Sequence, residues 1–147
     1  MKDILSNKYL LLTIRFFIGF IFIFGGVEKI ADPAGFSDAV SNYKLFPLFS
    51  INFIAIFIPW LELFSGVLLL FGIWLKENTF LINALLSAFI FIVAIALLRG
   101  LDIDCGCFGT KFAQKVGLLK IGENIILMLL TYVLYKFGKE NSIDKPQ

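Results

Sequence analysis

From Thr79 to Leu98 the chain carries no charged side chain. Crossing the hydrocarbon core of a bilayer takes about 20 predominantly apolar residues in helical form, because a helix satisfies each backbone N–H and C=O within its own segment. The stretch meets that length and predicts a membrane span over 79–98. Three further runs follow the same rule. Tyr9 to Val27 is broken only by Thr13 and Arg15, Ile51 to Trp74 has Glu62 as its only charge, and Val116 to Tyr135 carries Lys120, Glu123 and Asn124 near its start. Residues 9–27, 51–74, 79–98 and 116–135 are therefore expected to span the membrane.

Composition supports this. A hydrophobic share of 59% with 18 phenylalanines is incompatible with an ordinary soluble domain. The net charge of +2, spread along the chain, excludes a nucleic-acid surface. The expectation is one all-α domain over 1–147, an integral membrane four-helix bundle. The first run superficially resembles a signal peptide. Its length, the interrupting Arg15 and the lack of a small-residue cleavage pattern before Glu28 predict a retained helix.

Between the first two spans, Glu28, Lys29, Asp32, Asp38 and Lys44 alternate with Phe36, Val40, Tyr43 and Phe46. Phe36, Val40 and Tyr43 recur at helical spacing, Asp32 suits an N-cap, and Pro33 suits the first helical turn. This predicts a short interfacial helix over 33–46, ended by Pro47, that caps one end of the bundle. A tight turn over 75–78 should join the second and third spans, and the charged tail 136–147 has no apolar periodicity.

Charges at membrane depth are costly and call for partners. Arg15 either snorkels to the near surface or faces the bundle. Glu62 could pair with Arg15 or Lys120, either to fix packing or to serve a function. Pro59 is expected to kink its helix, and Lys120 and Glu123, three residues apart, can pair on one face.

Both cysteines lie in Arg99-Gly-Leu-Asp-Ile-Asp-Cys-Gly-Cys-Phe-Gly109, just after a span. Gly100 is a natural helix stop. A disulfide between Cys105 and Cys107 would close a very small ring, and Gly106 allows the dihedrals that it demands. Such a ring constrains little of the unfolded chain, so exchange chemistry suits it better than stapling. With no histidine and only these thiols, one chain cannot supply four zinc or iron–sulfur ligands from them, although a dimer or added carboxylates could, so metal stays a lesser alternative and no metal ligand is assigned. An inert turn with two free thiols is the third reading. Arg99 and Lys111 would lower a thiol pKa and Asp102 and Asp104 would raise it, so neither cysteine is marked as the nucleophile.

Four spans put both termini on one side, and the first loop and the cysteine loop on the other. Basic residues are almost balanced between the sides. The termini are assigned to the cytoplasm by a narrow margin, together with the argument that a disulfide persists in an oxidising compartment.

Gly25-Gly26-Val27-Glu28-Lys29, Asp32-Pro33 with Phe36, Tyr43 to Pro47, Pro59-Trp60-Leu61-Glu62 and the cysteine segment, taken in order, resemble the MauE family within the wider DoxX-like group. The resemblance covers about 13–134. It implies a multi-pass protein of the bacterial inner membrane, linked to maturation of the disulfide-rich small subunit of methylamine dehydrogenase beside a thioredoxin-like partner. By the same resemblance, Cys105 and Cys107 match the family's paired cysteines, and Lys29, Asp32, Pro33, Pro59 and Glu62 match its other marked positions. Arg99, Asp104, Gly106, Phe108 and Gly109 belong to the matching cysteine segment.

The resulting expectation is a membrane thiol–disulfide relay with catalytic Cys105 and Cys107. A single pair cannot pass electrons between two internal dithiols, so the relay needs an outside donor or acceptor. A thioredoxin-like protein would be one end, and a quinone in the bilayer is a candidate for the other. The alternatives are a non-catalytic scaffold or chaperone that docks a thioredoxin-like protein and a quinone-linked oxidoreductase subunit of the DoxX-like kind. A complete transporter is disfavoured by four spans without an internal repeat.

Overall fold

The computed structural model describes residues 1–102 and 117–138, and every regular element among them is a helix. A short α1 (Lys2–Leu5) precedes α2 (Lys8–Ala31), α3 (Pro33–Asn42), α4 (Leu48–Phe71), α5 (Leu75–Leu98) and α6 (Leu118–Phe137). Helices α2, α4, α5 and α6 are each long and apolar enough to cross a membrane. Asp104, Cys105, Gly106, Cys107, Phe108 and Gly109, the start of the fourth predicted span and the tail beyond 138 lie outside the described residues.

The helices extend or shift relative to the hydropathy runs because caps, rather than polarity, end them. Asn7 caps α2 by accepting a hydrogen bond from the Tyr9 N–H, and the helix continues through Lys29 to Ala31. Gly72, at φ 70°, ends α4 in the left-handed conformation that glycine adopts without a Cβ penalty. The connection is thus Gly72 to Trp74, and the expected turn over 75–78 is the first turn of α5.

Asp32 accepts from the Gly35 N–H at 3.0 Å, and Pro33 opens α3, where its missing N–H costs nothing. This helix ends at Asn42 rather than at 46, because Lys44 turns the chain with φ 52°.

Helices α2 and α4 run antiparallel and very close together. A Cβ on Gly26 would lie 2.9 Å from the Leu63 N and the Pro59 O, and one on Gly66 would lie 2.9 Å from the Gly19 O and the Ile23 N. The second tight pair is α5 with α6, where the Thr131 hydroxyl donates to Asn83 Oδ1 at 2.8 Å. Asn78 Nδ2 joins the pairs by donating to the Ser65 carbonyl at 2.7 Å.

These pairings alternate up and down, which puts both described ends of the chain at one end of the bundle. That half is filled by Leu11, Ile14, Ile18, Leu69, Leu75, Ile82 and Leu134. At the opposite end, α3 lies across the bundle and packs Phe36 and Val40 on Ile51 and Ala55 of α4. Beneath it the two helix pairs stand apart.

Candidate functional site, a roofed cavity in the bundle

The space under α3 is a cavity of about 380 Å³ bounded by α2, α3, α4, α5 and α6. Phe22 and Leu86, which belong to the filled half, form its floor, and Phe36, Ala39, Val40 and Tyr43 form its roof. Most of the wall is aliphatic or aromatic, including Ile54, Ile58, Leu85, Phe89 and Ile92. Its polar groups are Lys29 and Glu62 on one side and Lys120, Glu123 and Asn124 on α6.

Lys29 Nζ donates to both carboxylate oxygens of Glu62, at 2.8 and 2.7 Å. The side chains are 6% and 18% exposed, so the pair is withdrawn from solvent. The same ammonium lies 5.2 Å from the Phe36 ring centroid, a cation–π distance that ties the roof to the ion pair. Lys29 sits in the last turn of α2, where a cation also complements the helix dipole.

The partner of Glu62 is therefore Lys29, neither Arg15 nor Lys120. The cause is geometric: contact between Gly26 and both Pro59 and Leu63 puts Lys29 level with Glu62, while Arg15 lies about four turns earlier on the same helix, toward the filled half. Arg15 faces the bundle at 9% exposure. Lys120 bonds Glu123 Oε2 at 2.6 Å, as their spacing suggests, and its backbone carbonyl accepts from Asn124 Nδ2 at 2.8 Å.

The remaining predicted positions build the frame around this pair. Asp32 and Pro33 start the roof. Pro59 is fully buried inside α4, and its carbonyl faces Gly26. Lacking an N–H, Pro59 cannot donate to the Ala55 carbonyl one turn earlier. Arg99, at the end of α5, points its guanidinium at the Tyr43 and Lys44 carbonyls, at 3.4 and 3.5 Å. It thereby holds the α5 terminus, from which the cysteine segment departs, against the turn that follows the roof.

Sequence reasoning noticed Lys120 and Glu123 as a local pair but did not bring them into the site. It also left out Tyr43, which is 4% exposed and whose phenol burial pushes up to about 12. The available signal was polarity: Lys120, Glu123 and Asn124 interrupt an apolar run. Among the described residues no cluster of three or more metal-ligating side chains occurs.

The fold and the site together define a multi-pass, all-α membrane protein whose spans enclose an ion-paired cavity under an amphipathic helix. The chain matches the family described as Methylamine utilisation protein MauE over residues 7–137, and it belongs to that family. It is similar to Protein TlpB of Flavobacterium psychrophilum, 29% identical over 92% of this chain and 39% of that protein. It is 28% identical to the methylamine utilization protein MauE of Paracoccus denitrificans, over 91% of this chain and 73% of the relative. The MauE of Methylorubrum extorquens is 29% identical over 89% of this chain and 71% of its own length. The chain thus spans about two fifths of the TlpB protein. No solved structure matches the chain.

Proposed function

We propose that the chain is a membrane thiol–disulfide relay in which Cys105 and Cys107 exchange with a thioredoxin-like partner during redox maturation of proteins outside the cytoplasm. The observation that carries this reading is the attachment of Arg99 to the Tyr43–Lys44 turn. It ties the start of the cysteine-bearing segment, whose Arg99, Gly100 and Asp102 are exposed, to the turn that follows the roof helix. The names of the MauE relatives suggest methylamine utilisation as one setting for that maturation. Exchange proceeds by attack of a thiolate on a disulfide through a mixed disulfide, so either cysteine can begin the cycle.

Replacing both cysteines by serine, with the partner's thiols trapped in intact cells, tests the reading. Loss of the partner's normal redox state supports a relay. An unchanged redox state together with lost partner docking would make the protein a scaffold. A membrane-impermeant thiol reagent tests the proposed location: labelling of Cys105 and Cys107 only after external reduction supports an extracytoplasmic disulfide, and labelling only after lysis refutes it.

A further inference from the structure

We propose that the cavity under α3 is a site for one acyl chain of a bilayer phospholipid, which enters sideways between α4 and α5. The site stands on the wall and mouth of the cavity and is independent of the thiol chemistry.

The mouth follows from one small residue. Leu85, Ala88 and Ile92 recur at helical spacing along one flank of α5 and line the cavity together with Ile54 and Ile58 of α4. Helices α4 and α5 meet only loosely, in contrast to the close pairs α2 with α4 and α5 with α6. Leu85, Ile92, Ile54 and Ile58 are half-buried, whereas Ala88 lines the cavity and is also exposed. A single methyl stands there where its neighbours carry branched side chains, so the wall is open at that point.

Depth decides what meets the mouth. Ala88 lies near the middle of α5, about 15–20 Å from either end at about 1.5 Å per residue. The hydrocarbon core of a bilayer is about 30 Å thick, so this point is level with the ends of the acyl chains and far from both headgroup layers.

The interior suits what the bilayer offers at that depth. Lys29 is matched by Glu62 at 2.7 Å and Lys120 by Glu123 at 2.6 Å. An occupant has no charge left to neutralise, and an anionic head drawn inside would be an uncompensated charge in a low-dielectric space. Water would find few hydrogen-bond partners along the wall of Ile54, Ile58, Leu85 and Phe89. A void of about 380 Å³ would deprive the lining atoms of dispersion contacts. A hydrocarbon chain restores those contacts and leaves its headgroup in the interface. It also lies beneath Phe36, Val40 and Tyr43, so the roof rests on lipid where protein does not fill the bundle.

The test places the full chain in phosphatidylcholine nanodiscs that contain a phosphatidylcholine with a photoreactive group at the end of one acyl chain, and maps the crosslinks by mass spectrometry. Crosslinks are expected on Phe22, Val40 and Leu86, which are buried, as well as on the exposed Phe53 and Phe80. Crosslinks confined to the exposed residues of the wild type would overturn the site. Ala88→Trp and, independently, Ile58→Trp should remove the interior crosslinks and keep the surface ones. Ala84→Trp, one turn away on the exposed face of α5, should keep both. Circular dichroism checks that the helices are intact, and interior crosslinks that persist in either folded mouth variant would overturn entry between α4 and α5. Two competitors fix the chemistry. Interior labelling by a free fatty acid with the same photoreactive group, but not by the phospholipid, would overturn the phospholipid assignment. Loss of interior labelling alone on adding a trace of short-chain ubiquinone would overturn the acyl-chain site.

Discussion

At Lys29 one ammonium answers to three helices: its own, Glu62 of α4 and Phe36 of α3. Removing one member of a buried ion pair strands the other charge, a loss of about 3–5 kcal/mol, whereas replacing both with apolar residues is close to neutral. Glu62→Ala should therefore lower the midpoint of thermal aggregation in detergent sharply, and Lys29→Met/Glu62→Met should recover most of it. Size-exclusion recovery after heating reads both. Tyr43 makes a separate prediction. Its phenol titrates near 10 when unfolded and about 12 in the fold, so the unfolded chain loses its proton first. Stability should be level on this account below pH 10 and fall by about 2 kcal/mol between pH 10 and 12, a limb that Tyr43→Phe abolishes when the two unfolding profiles are compared. The Asp32–Pro33 start of α3 was readable from two adjacent residues, because capping is local. The Lys29–Glu62 pair was not, because no spacing along the chain encodes which face of one helix meets another.

Among the elements, the closest fit is between α2 and α4, and it positions the ion pair. Gly66→Ala would press a Cβ to 2.9 Å from two backbone atoms of α2, which cannot rotate away. Overpacking of this kind costs about 1–3 kcal/mol. Gly122 is the control, since a Cβ there meets nothing within 4 Å. Gly122→Ala should be neutral or gain up to about 1 kcal/mol from helix propensity. Thermal midpoints of the two variants should move in opposite directions or differ clearly. Asp32→Ala removes the cap of α3 at a cost of about 1 kcal/mol. Amide exchange over Ala34–Asn42 should accelerate while exchange in α5 stays unchanged. The spans were legible as hydropathy runs, but their ends were not. Apolar character stops at Val27, whereas hydrogen bonding carries α2 on to Ala31, and that extension moves Lys29 from the expected loop into a helix.

For the whole molecule, alternating helices place the described start of the chain and Gly138 at the same end. Reporter fusions before Met1 and after Gly138 should report the same compartment, and a reporter inserted at Asp102 the opposite one; agreement of all three would refute the topology. Bundle class, span number and the roof helix followed from residue pattern. The cavity did not, because an empty volume is set by how far the helix pairs stand apart, which no single segment records. The molecule also reverses the usual distribution of polarity. Lys29 and Lys120 are inside, while Phe20, Phe53, Phe64, Phe80 and Phe91 cover the outside. Away from lipid, it is this exterior that fails first. Its shelf life in solution is accordingly a colloidal property, governed by what coats the phenylalanines, and heating reads the bonds within one molecule only while a detergent or lipid coat is complete.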